Sequence, residues 1–68
     1  MLSPIRRIRL EQGRAQFQVA AECGLHPARL SLIETGRVSP RTDEIQRIAR
    51  ALGVPIELLA PPASEAAA

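Results

Sequence analysis

Gln16-Phe17-Gln18-Val19-Ala20-Ala21-Glu22-Cys23-Gly24-Leu25-His26-Pro27-Ala28-Arg29-Leu30-Ser31-Leu32-Ile33-Glu34-Thr35-Gly36 reads as two short helices hinged at a glycine. In the first, from about Gln16 to Cys23, the residues Val19, Ala20 and Cys23 have the i, i+1, i+4 spacing of an inward stripe. Gly24 predicts a left-handed stop, because a residue without a Cβ enters that region at no steric cost. His26-Pro27 opens the second helix, whose buried side is Leu25, Leu30 and Ile33, and Gly36 closes it. Two helices joined in this way can present one of them to a DNA groove.

Upstream of this stretch, Ser3-Pro4 predicts an N-cap followed by proline in the first helical position. Ile5, Ile8 and Gln12 then share a face before Gly13. Downstream, Ser39-Pro40 is a turn signal, and Thr42 or a neighbour caps a strongly amphipathic helix. Ile45, Ile48, Ala49 and Leu52 form its apolar stripe, Asp43 and Glu44 sit at its positive end, and Gly53 terminates it. Val54-Pro55 begins a last short helix carrying Ile56, Leu58 and Leu59, which Pro61-Pro62 stops. No stretch has the alternation of a strand, so the expected fold is all-α, a compact bundle of five helices. Residues 1–60 are expected to form the domain. Residues 61–68, with little apolar bulk, are expected to be a disordered tail.

A chain of 68 residues, 46% of them hydrophobic, has material for one small core, burying about 60% of the surface of its unfolded form. Phe17 is its only aromatic residue, so the core must be aliphatic. The same scarcity argues against modules that stack bases on rows of aromatics. The net charge of +2 is unevenly spread: residues 1–37 carry six Arg against three Glu, and residues 38–68 three Arg against four acids. All nine basic residues are Arg. This either suits planar recognition of phosphate and guanine or reflects a GC-rich coding bias. One cysteine, Cys23, precludes an internal disulfide, and no apolar run reads as a signal peptide or membrane span, so a cytoplasmic setting is expected. One His and one Cys, with no acid-base partner at helical spacing, make no nucleophile or metal constellation. Neither enzymatic activity nor a metal or cofactor is expected.

Gln16, Ala20, Gly24, Ile33, Glu34, Gly36, Pro40, Ile48, Ala49, Leu52 and Gly53, closing in Ile-Ala-Arg-Ala-Leu-Gly-Val-Pro, resemble the lambda-repressor/Cro type of helix-turn-helix domain from about Ile5 to Leu59. The resemblance implies that Ala20 lies at a close helix crossing, where a larger side chain would overpack. It matches Arg9 and Glu34 to an Arg and a Glu that pair between helix one and the end of helix three. The alternative is two solvated charges, and the pair is favoured because Arg9 borders the Ile5/Ile8 stripe and Glu34 the Leu30/Ile33 stripe.

By resemblance, the base-reading positions fall on Pro27, Ala28 and Leu32, flanked by His26 and Arg29. This sequence departs from the family there, because Pro27, Ala28 and Leu32 have no side-chain donor and can offer only apolar contact to thymine methyls. Arg29 has the fork that a guanine edge accepts, and His26 either meets DNA or caps its own helix. Gln16 matches a phosphate-binding glutamine at a helix N-terminus that itself favours anions. Thr35 and Arg37 match phosphate contacts, and Arg41 resembles an arginine that reaches a minor groove. Arg6, Arg7 and Arg14 read as a solvated face. Phe17 either wedges against sugar or folds back on the core.

Two functions are consistent with these residues. The first is a DNA-binding transcriptional regulator that inserts helix 27–34 into the major groove. The second is a protein-interaction module, antitoxin-like or a co-regulator, whose partner covers Phe17, Pro27, Ala28 and Leu32. Apolar residues at the C-terminal end, Val54, Ile56, Leu58 and Leu59, with Leu10 off its helix's core stripe, predict a homodimer.

Overall fold

The computed structural model describes residues 3–59, and the expected tail lies outside them. Four helices follow one another: α1 (Pro4–Glu11), α2 (Gln16–Cys23), α3 (Pro27–Glu34) and α4 (Thr42–Leu52). No strand occurs among the described residues. The expected last short helix is a single 3-10 turn, Ile56–Leu58, so the bundle has four α-helices and this turn. Pro55 and Pro61 leave five positions between them, too few to repay the nucleation cost of an α-helix.

α1 starts where the sequence predicts, with Ser3 Oγ accepting the Arg6 N–H at 3.1 Å and Pro4 in the first turn. α2 ends at Gly24, at φ 72°, and the Leu25 N–H returns to the Ala20 carbonyl at 2.8 Å. That closure turns the chain sharply enough for α3 to start at Pro27. α4 begins one residue earlier than a Thr42 cap would give. Arg41 is its N-cap residue and makes no side-chain cap bond, and the Glu44 carboxylate instead reaches back to the Arg41 N–H at 2.8 Å.

The core is one aliphatic cluster fed by every helix. Val19, Leu30 and Ile48 are fully enclosed, with Ile5, Ile8, Ala20, Cys23, Ile33, Ile45, Ala49 and Leu52 around them. Ala20, at 0% exposure, sits in the α2 stripe that packs against α3 and α4. Cys23 is a small core residue whose thiol is pushed up by burial, away from the reactive thiolate. Leu59, expected at an interface with a second copy, is 3% exposed and belongs to the chain's own core. It packs there because the 3-10 turn folds back on α4, leaving Val54 and Ile56 half-buried and Leu58 exposed.

Candidate nucleic-acid interface

α3 divides cleanly into two sides. Leu30 and Ile33 are buried, whereas Pro27, Ala28 and Leu32 face solvent, as the 100° turn per residue requires. Pro27 costs the helix nothing at its first position, where its missing N–H has no intrahelical acceptor to lose. His26 resolves toward the cap: its Nδ1 accepts the Ala28 N–H at 3.1 Å, which leaves Nε2 as the only ring nitrogen open to an outside partner.

An Arg–carboxylate bridge holds α3 at each end. At the C-terminal end, Arg9 of α1 donates from Nε to Glu34 Oε2 at 2.7 Å and from Nη2 to Glu34 Oε1 at 3.0 Å. The side chains are 9% and 1% exposed. Arg9 Nη1 donates to the Arg14 carbonyl at 2.8 Å, and Gln16 Nε2 donates to Glu34 Oε1 at 3.1 Å. Every charge in this buried cluster is therefore paired, and no buried side-chain polar atom among the described residues lacks a partner.

In the first turn of α3 the polarity is reversed. Arg29 donates from Nε to Glu44 Oε2 at 3.0 Å and from Nη2 to Glu44 Oε1 at 2.9 Å, a bidentate pair linking α3 to α4. The Arg29 hydrogen bonds, with the Arg41 N–H, hold the Glu44 carboxyl down at about 2. Here the Arg side chain is 34% exposed, while Glu44, at 7%, lies behind it.

Gln16 joins the two helices of the motif, because its bond to Glu34 sets the N-terminus of α2 beside the C-terminal end of α3. Ala15 offers no side-chain cap there. Gln18 Oε1 takes the Ala15 N–H at 3.0 Å, and the amides of Gln16 and Phe17 have no acceptor among the described residues. Beyond α3, the Thr35 hydroxyl donates back to the Ser31 and Leu32 carbonyls at 3.0 and 3.2 Å. Arg37 is exposed, as is Arg41, whose Nε lies 3.3 Å from Asp43 Oδ1. Phe17 does not fold back on the core, being 66% exposed; Leu32 is 39% exposed.

Three residues act in ways that their types did not announce. Arg14, expected on a solvated face, donates from Nη1 to the Ala51 carbonyl at 2.6 Å and pairs through Nη2 with Glu22. Gln12 Nε2 donates to the Leu52 carbonyl at 2.8 Å, so both side chains satisfy carbonyls that the end of α4 would otherwise leave open. Glu44 reads in the sequence as a charge suited to a helix N-terminus, and the signal for more is its place three residues after Arg41. That spacing finds the cap, though not the bridge to Arg29.

A helix-turn-helix family model matches residues 5–59. The control protein C.BamHI of Bacillus amyloliquefaciens is 42% identical over an alignment of 57 residues, and the match covers 81% of this chain and 70% of that protein. Among solved structures, the crystal structure of the hypothetical transcription factor NHTF from Neisseria is similar at a TM-score of 0.76 and 32% identity. That match covers 94% of this chain and 75% of the other. The chain belongs to the lambda-repressor/Cro-type helix-turn-helix family of DNA-binding transcriptional regulators, not to a family of enzymes. No helix among the described residues is long and apolar enough to cross a membrane.

Proposed function

We propose that the chain acts as a cytoplasmic homodimer that reads a two-fold operator, one copy of α3 entering the major groove at each half-site. The observation that carries this reading is the division of labour on α3: its inner side and both ends are fixed, and Pro27, Ala28 and Leu32 are left uncovered. Apolar contact from Ala28 and Leu32 suits thymine methyls. His26 Nε2 and Arg29 supply the polar contacts on that side.

Around the helix, the Gln16 side chain retains a second amide hydrogen beyond the one given to Glu34, and with the open amides of Gln16 and Phe17 it forms a phosphate-binding end. Arg37 and Arg41 add phosphate or minor-groove contacts, and Thr35, whose N–H and hydroxyl are both given to α3 carbonyls, joins them by releasing its hydroxyl. Val54, Ile56 and Leu58 form the dimer surface, spacing the reading helices by about 34 to 36 Å, one turn of DNA.

A second reading, a protein partner on the same face, is favoured by the exposure of Phe17 and Leu32. Binding to randomised duplex DNA over a salt series, with sequencing of what is retained, separates the two. DNA binding weakens steeply with salt and yields an inverted repeat with half-sites about 10 to 10.5 base pairs apart, centre to centre. Salt-insensitive retention, or none, would reject it in favour of the protein partner, and a consensus without two-fold symmetry would reject the dimer.

A further inference from the structure

Two of the five N–H groups of Arg29 are committed to Glu44, one on Nε and one on Nη2. A carboxylate bound in this way occupies the side edge of the guanidinium. The outer edge, made by Nη1 and the second N–H of Nη2, finds no acceptor among the described residues. Glu44 is nearly hidden and the Arg29 side chain one-third exposed, so water reaches the donor and hardly reaches its carboxylate. On the same helix Pro27, Ala28 and Leu32 have no side-chain donor, and Arg29 is the one residue of α3 that can donate two parallel hydrogen bonds.

We infer that Glu44 is a positioning residue for base readout: it fixes the plane of the Arg29 guanidinium so that its outer edge meets the O6 and N7 of a guanine in each half-site. This rests on α3 entering the major groove. A free arginine side chain loses rotamer freedom when it docks on a base, whereas one already clamped at its side edge has lost most of it. Glu44 is in turn held by the Arg41 N–H at the start of α4, so the clamp connects the reading helix to the next helix of the bundle.

The experiment is selection from randomised duplexes by the full chain and by Arg29→Lys, Glu44→Gln and the double variant, with folding checked by circular dichroism. Wild type should select a guanine at one position per half-site. Arg29→Lys keeps the charge but not the fork, and should lose about tenfold of that preference with little change in binding to non-specific duplex. Glu44→Gln should lose most of the same preference although Arg29 is intact, and the double variant should lose no more than Arg29→Lys alone.

A Glu44→Gln protein that binds every sequence more weakly but still selects guanine would overturn the inference. So would an Arg29→Lys protein that loses affinity for all sequences alike, which would make Arg29 a phosphate contact. Should Glu44→Gln fail to fold, the Arg29 Nε–H resonance of wild type on its selected duplex decides. It should stay hydrogen-bonded, and its release on DNA would overturn the clamp. A wild type that selects a consensus lacking guanine also overturns it while sparing the major-groove reading. The absence of salt-sensitive duplex binding would instead defeat that reading itself.

Discussion

The two ends of α3 are held by the same chemistry in different surroundings. At the C-terminal end, Arg9 and Glu34 are enclosed and fully partnered. In the first turn, a third of the Arg29 side chain is open to water while Glu44 is nearly hidden, and the outer N–H groups of Arg29 have no acceptor among the described residues. A pair that has been taken out of water gains little over an apolar packing of the same volume, yet becomes very costly to break from one side. A pair at the edge is cheaper to break and can form further bonds. The buried pair is therefore an anchor, holding the end of the reading helix against α1. The edge pair can also serve as a contact, because part of its donor capacity remains uncommitted.

The sharpest way to break this contrast is to remove one partner from each pair. Glu34→Ala leaves the Arg9 guanidinium buried without its carboxylate and strips Gln16 of its acceptor, so a loss of about 3 to 5 kcal/mol is expected in denaturant unfolding. Much of that loss is the stranded charge. Replacing both Arg9 and Glu34 with apolar residues should recover a substantial part of it, and a double-mutant cycle measures the coupling. A coupling near zero would mean that the two groups are independent, and the anchor would have to be sought in the packing of Ile5, Ile8 and Ile33 instead.

The next effect is smaller and depends on pH. Glu44→Gln keeps an acceptor for the Arg41 N–H but loses the charge, and Tm should fall by about 4 to 8 °C near neutral pH. The folded protein holds the Glu44 carboxyl at about 2, below its ordinary value of 4.5. The unfolded chain therefore binds this proton first as pH falls. The stabilisation is complete above 4.5 and is lost on descending toward 2, so the Tm gap between wild type and Glu44→Gln should be flat above that window and close within it. Thermal melts across the acid range test this, and a gap that stays constant down to pH 2 would remove Glu44 as its source.

The anchor and the edge pair were not equally legible in the sequence. Apolar periodicity locates all four helices, since the stripes of Val19, Ala20, Cys23 and of Ile45, Ile48, Ala49, Leu52 are local properties of the chain. The Arg9 and Glu34 contact is 25 residues apart and emerged only through family resemblance. Nothing local announces Arg29 with Glu44, or Arg14 with the Ala51 carbonyl, because a charged residue on a helix flank looks the same whether it meets solvent or another helix. The last short helix is present as a 3-10 turn, because the apolar residues between the prolines satisfy a burial pattern without enough length for an α-helix. Leu59, which an excess of apolar residues assigns to an interface with Val54, Ile56 and Leu58, is buried in the chain's own core, because an apolar residue reads alike whether it meets a second copy or its own helices.

Salt offers the finest discrimination between the two ends. The Debye length falls from about 10 Å at 0.1 M to about 3 Å at 1 M, which screens a pair that water reaches far more than one it does not. The Tm gap between wild type and Glu44→Gln should therefore narrow by about 1 to 2 °C over that range. The gap for Glu34→Ala, whose side chain is 1% exposed, should stay constant within error. Comparing gaps within each salt cancels the general effect of salt on folding, since each variant is referred to wild type in the same buffer. If both gaps narrowed alike, the Arg9 pair would be as open to ions as the Arg29 pair, and assigning anchor to one end and contact to the other would lose its electrostatic basis.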